Sequence, residues 1–305
     1  VTRFEPPIEE RTRAHNARPR EDAPRLAPAA HERRATFSVH EPRAREIPVV
    51  VEVPHAGLDV DPTALATLMA PARAIGRDAD LFVDELFAAS PEAGAHLIVS
   101  HVSRYVCDLN RATSDVDART VDGGSLTASP HGVVWRATTD GLPALTAPLP
   151  RRELERRMRE IYHPYHDALL QLLRQKRERF GFVVLLSAHS MPSRGRAGTA
   201  EGAVPRADVV PGSRGRSTAA TTVIELPADL ALARGWTAAH DDPYRGGHTT
   251  ALHGRPRDGF HAIQVELARR LYMDELTLTR KPGAFESVQE YCCTLVGRLG
   301  SLVLS

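Results

Sequence analysis

The feature that most limits what this chain can fold into is a β-branched run, Ile47 to Val53, with Pro48 at its entrance and Pro54 at its exit. Such a run suits a strand buried on both faces, and it stops at Val-Pro-His-Ala-Gly, residues 53 to 57. Further strands are expected at His96 to Val99, Phe182 to Leu186, Thr221 to Leu226 and His261 to Leu267, and Ser103 to Leu109 alternates enough to be extended. Helical spacing appears over Asp80 to Ala89, over Arg151 to Arg179 with a kink at Pro164, and from Val288 to Leu299. Strands alternating with helices predict an α/β fold with a mostly parallel or mixed central sheet flanked by helices on both faces.

Residues 1–35 are rich in Arg and Pro and nearly devoid of large apolar side chains between Ile8 and Leu26. A segment of that kind cannot offset its ordering entropy by burial, so a flexible tail is expected ahead of one α/β domain at residues 36–305. Apolar residues at 42% and charged residues at 25% suffice for a sizeable core. The net charge of +1 gives no electrostatic reason to expect nucleic acid or an anionic membrane as partner. Three cysteines, Cys107, Cys292 and Cys293, form neither a disulfide framework nor a Cys-x-x-Cys metal site. A reducing cytoplasm is the expected setting, and no stretch is apolar for the roughly 18 residues a membrane span needs.

Polar residues stand where the strands run out. His55 follows the first strand, His189 follows the run Phe182 to Leu186, and Glu266 closes Gln-Val-Glu. In open α/β sheets ligand sites form beyond the carboxyl ends of the strands. A catalytic zinc site takes about three His or carboxylate ligands and keeps a position open for water. His55 and His189 offer two ligands; Asp80, Asp84 and Glu85 compete for the third, and spacing alone does not separate Asp80 from Asp84, which share a helical face. Glu266 is the expected general base. Arg104, Asn110 and Arg111 around Asp-Leu-Asn-Arg, together with Arg255 and Arg269 near Glu266, are the expected substrate-binding groups, since an Arg fork recognises carboxylates. The pair His163 and His166 in Tyr-His-Pro-Tyr-His reads better as packing of the tyrosines than as a second metal site, and Pro-Tyr-Arg-Gly-Gly at 243 to 247 as a turn that lets backbone approach a ligand.

An ordered set of strings carries a resemblance. It runs through Val-Pro-His-Ala-Gly at 53–57, Asp-Leu-Phe-Val-Asp-Glu-Leu at 80–86 and Ser-Arg-Tyr-Val-Cys-Asp-Leu-Asn-Arg at 103–111. It continues through Tyr-His-Pro-Tyr-His at 162–166, His-Ser-Met-Pro at 189–192, Pro-Tyr-Arg-Gly-Gly at 243–247 and Gly-Phe-His-Ala-Ile-Gln-Val-Glu-Leu from 259. Over roughly residues 37–280 this resembles the N-formylglutamate amidohydrolase family. The resemblance implies a phosphorylase/hydrolase-like, zinc-peptidase-like sandwich and one zinc ion on His55, Asp80 or Asp84, and His189, with Glu266 catalytic. It also implies a small acidic amide as substrate. The chain departs from the family pattern at Ala56, where Ser is common, at Ser187-Ala188, where Asp-Cys is common, and at Asp242, where Asn is expected. Two rivals share these residues: a zinc amidase or peptidase acting on another acylated amino acid, a peptide or a cell-wall fragment, and a non-catalytic binding protein that retains the fold.

Overall fold

The computed structural model describes residues 35–124, 129–195 and 202–304. The expected flexible tail, residues 1–35, lies outside them except for its last residue. In chain order the principal elements are β1 (Phe37–His40), β2 (Val49–Val53), α1 (Pro62–Leu65), α2 (Ala72–Asp78), α3 (Val83–Leu86), β3 (His96–Ser100), α4 (Arg151–Arg157) and α5 (His163–Phe180). They continue as β4 (Val183–Met191), β5 (Val209–Gly212), α6 (Thr221–Leu232), α7 (His248–His253), β6 (Phe260–Ala268), a short ribbon of β7 (Met273–Asp274) with β8 (Thr279–Arg280), and α8 (Ala284–Gly300).

Six strands form one mixed sheet in the order β1-β3-β2-β4-β6-β5. The four inner strands are parallel, and β1 and β5 close the two edges antiparallel. All five residues of β2 and all nine of β4 are buried, as strands covered on both faces must be. Alternate side chains feed two cores. Val49, Val51, Leu186 and Val265 meet α6 and α8, whereas Val50, Ile98, Val183 and Leu185 meet α5 and the segment after β3. From β2 the chain passes to β3 on one side and then returns to β4 on the other, so the carboxyl end of β2 is a topological switch point, where such sheets leave a crevice.

Four local expectations are corrected. Thr221 to Leu226 is helix rather than strand: its β-branched run buries Val223 and Ile224 against α8, and tertiary burial outweighs a weak strand propensity. Ser103 to Leu109 is a set of turns. Asp80 to Ala89 contains only the short α3, because Phe82 takes a left-handed conformation (φ 67°) and breaks the register between α2 and α3. The kink expected at Pro164 is a π-helical turn, Met158–Tyr162, ahead of α5. It lies where a proline that cannot donate to the preceding turn disturbs the ladder.

Candidate active site

At the switch point the strands deliver their polar residues to one cavity of about 910 Å³. His55 lies just past β2, while His189 and Glu266 lie inside β4 and β6, which run further than their apolar runs suggest. His189 and Glu266 are register partners on these neighbouring parallel strands. Asp80 arrives from the break between α2 and α3, and its backbone N–H bonds the His55 carbonyl at 3.0 Å.

His55, Asp80 and His189 are 2–3% exposed, and each offers a ligand atom within 4.8 Å of the other two. Both rings turn Nδ1 toward Asp80 Oδ2, at 3.6 Å for His55 and 2.9 Å for His189. The Nδ1 of His55 is buried without a hydrogen-bond partner. An unsatisfied buried nitrogen is costly, and two imidazoles with one carboxylate form the donor set of an open catalytic zinc site, so the residues fit a metal ion. Asp84 is not part of this trio; it sits half-buried on α3, away from the cavity lining.

The outer face of each imidazole is supported. Nε2 of His55 donates to Asp108 Oδ1 at 2.7 Å. Asp108, wholly buried, also accepts from Trp135 Nε1 at 2.9 Å, Arg104 Nη2 at 3.0 Å and the Asn110 amide at 2.9 Å. Burial alone would raise its carboxyl, but the charges of His55 and Arg104 hold it well below the usual range. Nε2 of His189 meets Asn110 Nδ2 at 3.2 Å and Ser187 Oγ at 3.0 Å. Ser187 is one of the departures from the family pattern, and its hydroxyl can accept from Nε2 in the tautomer that carries the ring proton there.

Glu266 is 5% exposed and lines the cavity, with Gln264 Nε2 donating to its Oε1 at 2.8 Å. Burial pushes its carboxyl up to about 7 against the lowering influence of His189. The positions expected to bind substrate divide into two groups. Arg111 lines the cavity with its side chain 41% exposed and only loosely paired, at 4.0 Å from both Asp108 and Asp115. The others are otherwise engaged. Arg104 is paired with Asp108 and stacked over Trp135. The Asn110 amide is taken up by His189, Gln264 and Thr249. Arg269, 4% exposed, bonds Ser190, the carbonyls of Arg77 and Ala79, and Asp80, so it fixes the loop carrying Asp80. Arg255 is absent from the cavity wall; it stacks on Phe260 and pairs with Asp258.

Sequence reasoning passed over Asp108, Trp135, Gln264 and Tyr244. Asp108, Gln264 and Tyr244 lie inside strings already singled out, whereas nothing in the sequence marks Trp135 as a partner of Asp108. The Pro243–Gly247 turn does line the cavity. The tyrosines of the Tyr-His-Pro-Tyr-His string are buried, with the Tyr162 and His166 rings 4.1 Å apart. Among the described residues, the only group of three or more His, Cys, Asp or Glu spaced to hold a metal ion is His55, Asp80 and His189. No helix of the described residues is long and apolar enough to cross a membrane.

The family model for N-formylglutamate amidohydrolase matches residues 47–273. An N-formylglutamate deformylase of Pseudomonas aeruginosa is 31% identical over 232 residues, covering 75% of this chain and 83% of its own. The corresponding deformylase of Pseudomonas putida is 30% identical over 242 residues, covering 78% and 85%. The crystal structure of N-formylglutamate amidohydrolase from Ralstonia eutropha superimposes with a TM-score of 0.78 at 28% identity, covering 87% of this chain and 97% of that one. A gene product of Agrobacterium tumefaciens shares the fold at 18% identity and a TM-score of 0.64, covering 87% and 94%.

Proposed function

The chain belongs to the N-formylglutamate amidohydrolase family, and from that premise we propose that it hydrolyses N-formyl-L-glutamate to formate and L-glutamate with one zinc ion on His55, Asp80 and His189. The observation that carries this reading is the buried trio with an unpartnered His55 Nδ1, opening on a cavity that also holds Glu266 and Arg111. A divalent ion at the trio would supply polarisation of the formyl oxygen and acidification of water. Glu266 takes the proton from the attacking water as oxygen bonds to the formyl carbon, and returns it to the nitrogen as the C–N bond breaks. The fork of Arg111 holds the α-carboxylate, and Asn110 and Asp108 keep the imidazoles in place. The family name of the Pseudomonas relatives supports the formyl substrate.

The cavity, at about 910 Å³, also favours a second reading in which the amide belongs to a larger acylated amino acid or short peptide. Turnover of formyl, acetyl and peptidyl substrates compared side by side separates the two readings. The test of the mechanism is Glu266→Gln, which should keep its metal and lose roughly 10²- to 10⁴-fold in formate release. Full turnover in that variant removes Glu266 from the reaction.

A further inference from the structure

Two segments on the cavity wall are joined into one unit. The turn after β5 and the Pro243–Gly247 turn approach so closely that a Cβ on Gly212 would stand 2.6 Å from the Gly246 nitrogen. The Arg214 amide donates to the Arg245 carbonyl at 2.7 Å, and Arg214 Nη1 donates to the Gly246 carbonyl at 3.0 Å. Asp241 ties the unit from below, accepting from the amides of Ser213 at 2.6 Å and Gly215 at 2.8 Å. Arg214 and Asp241 both hold left-handed backbone, with φ of 53° and 56°. Non-glycine residues keep that conformation only where their surroundings dictate it, and such positions cluster at functional sites.

This unit puts Arg214 and Arg245 on the cavity wall with no carboxylate partner among the described residues. Other arginines of the region are matched: Arg104 with Asp108, Arg269 with Asp80, Arg216 with Glu225 and Arg270 with Asp208. Tyr244, the residue before Arg245, also lines the cavity. Burial raises its hydroxyl pKa, with the charges of Glu266 and Asp80 adding to the effect, so the turn borders the reacting centre. Two guanidinium groups without a carboxylate partner among the described residues, and Arg111 on a separate segment of the same cavity, make two cationic poles. A substrate with a single carboxylate needs only one.

We propose that Arg214 and Arg245 form a second carboxylate subsite, which selects amides of dicarboxylic amino acids by binding the side-chain carboxylate while Arg111 takes the α-carboxylate. The proposal rests on the deformylase reading for its substrate, though not for its binding chemistry. Both arginines are exposed, so their replacement leaves the core intact.

The test is the paired variant Arg214→Gln with Arg245→Gln, assayed in the zinc-loaded full chain on N-formyl-L-glutamate and on its near-isostere N-formyl-L-glutamine. The ratio of kcat/KM on the first to that on the second should fall roughly 10- to 100-fold, as expected for a lost charge-assisted fork. An unchanged ratio overturns the subsite. Calorimetric titration with glutarate, a dicarboxylate that needs no turnover, separates this proposal from the reading beneath it. Weaker glutarate binding by the paired variant than by wild type upholds the subsite even if neither formyl substrate is hydrolysed, a result that would overturn the deformylase reading alone. Equal glutarate binding overturns the subsite whatever the kinetics show.

Discussion

His55 Nε2 donates its 2.7 Å hydrogen bond to Asp108 Oδ1, and that bond decides which ring nitrogen faces Asp80. A carboxylate held well below the usual range can only accept, so Nε2 carries a ring proton and Nδ1 is the nitrogen left for a metal ion. Asp108→Asn weakens this bond and strips Arg104 of its nearer charge partner, leaving Asp80 at 4.0 Å. Zinc affinity, measured by competition with a chromophoric chelator, should fall roughly 10- to 100-fold. Unaltered affinity would show that Asp108 does not orient His55.

Gly247 is constrained by space rather than by φ, since its φ is −85°. A Cβ there would stand 2.2 Å from Asn110 Nδ2, and Asn110 has nowhere to retreat while Thr249, Gln264 and His189 hold it. Gly247→Ala should therefore displace the amide beside His189 and cost roughly 100-fold in kcat/KM, with the metal retained. Steady-state kinetics beside metal analysis check this; wild-type kinetics would show that the turn gives way instead.

Arg157 is 1% exposed and bonds Glu153 Oε1 at 2.8 Å and the Val106 carbonyl at 2.9 Å. It pins α4 to the segment that leads into Asp108. Removing only the acid leaves a buried unpaired charge, for which about 3–5 kcal/mol is typical. Glu153→Ala should lose close to that in denaturant unfolding, whereas a loss below about 1 kcal/mol would mean that the Val106 carbonyl and water suffice.

The same pair has a pH signature. Burial would raise the Glu153 carboxyl, but hydrogen bonds from Arg156 and Arg157 lower it below its ordinary 4.5. A depressed folded-state pKa stabilises fully above the unfolded value and is lost as pH falls through the folded one. The difference in unfolding free energy between wild type and Glu153→Gln should thus be largest at neutral pH and shrink below about pH 4. A difference independent of pH down to acid unfolding would assign the effect to packing.

Much of the architecture was legible because the buried parallel strands advertise themselves: β2 is nearly all valine and β4 opens on four apolar residues. The polar residues following those runs, His55, His189 and Glu266, could be found for the same reason. Legibility ended where tertiary context decides. The β-branched start of α6 looks like strand until α8 is placed against it. The strand β5 is masked by its own Pro211 and Gly212, since a proline inside a strand is tolerated at a sheet edge and a glycine weakens the strand signal. Asp80 and Asp84 share a face only on one continuous helix, and left-handed Phe82 breaks the helix between them. The arginines were the least legible. Arg269 and Arg255 look equally available in sequence, yet one is buried against Asp80 and the other is stacked on Phe260, outside the cavity lining.

The most direct test of zinc-dependent hydrolysis is formate release from N-formyl-L-glutamate by protein purified without chelator, then stripped of metal, then returned to one equivalent of zinc. Turnover should disappear on stripping and return with zinc, and should not return in His189→Ala. Turnover undiminished by complete metal removal, or none from zinc-loaded wild type, would contradict it.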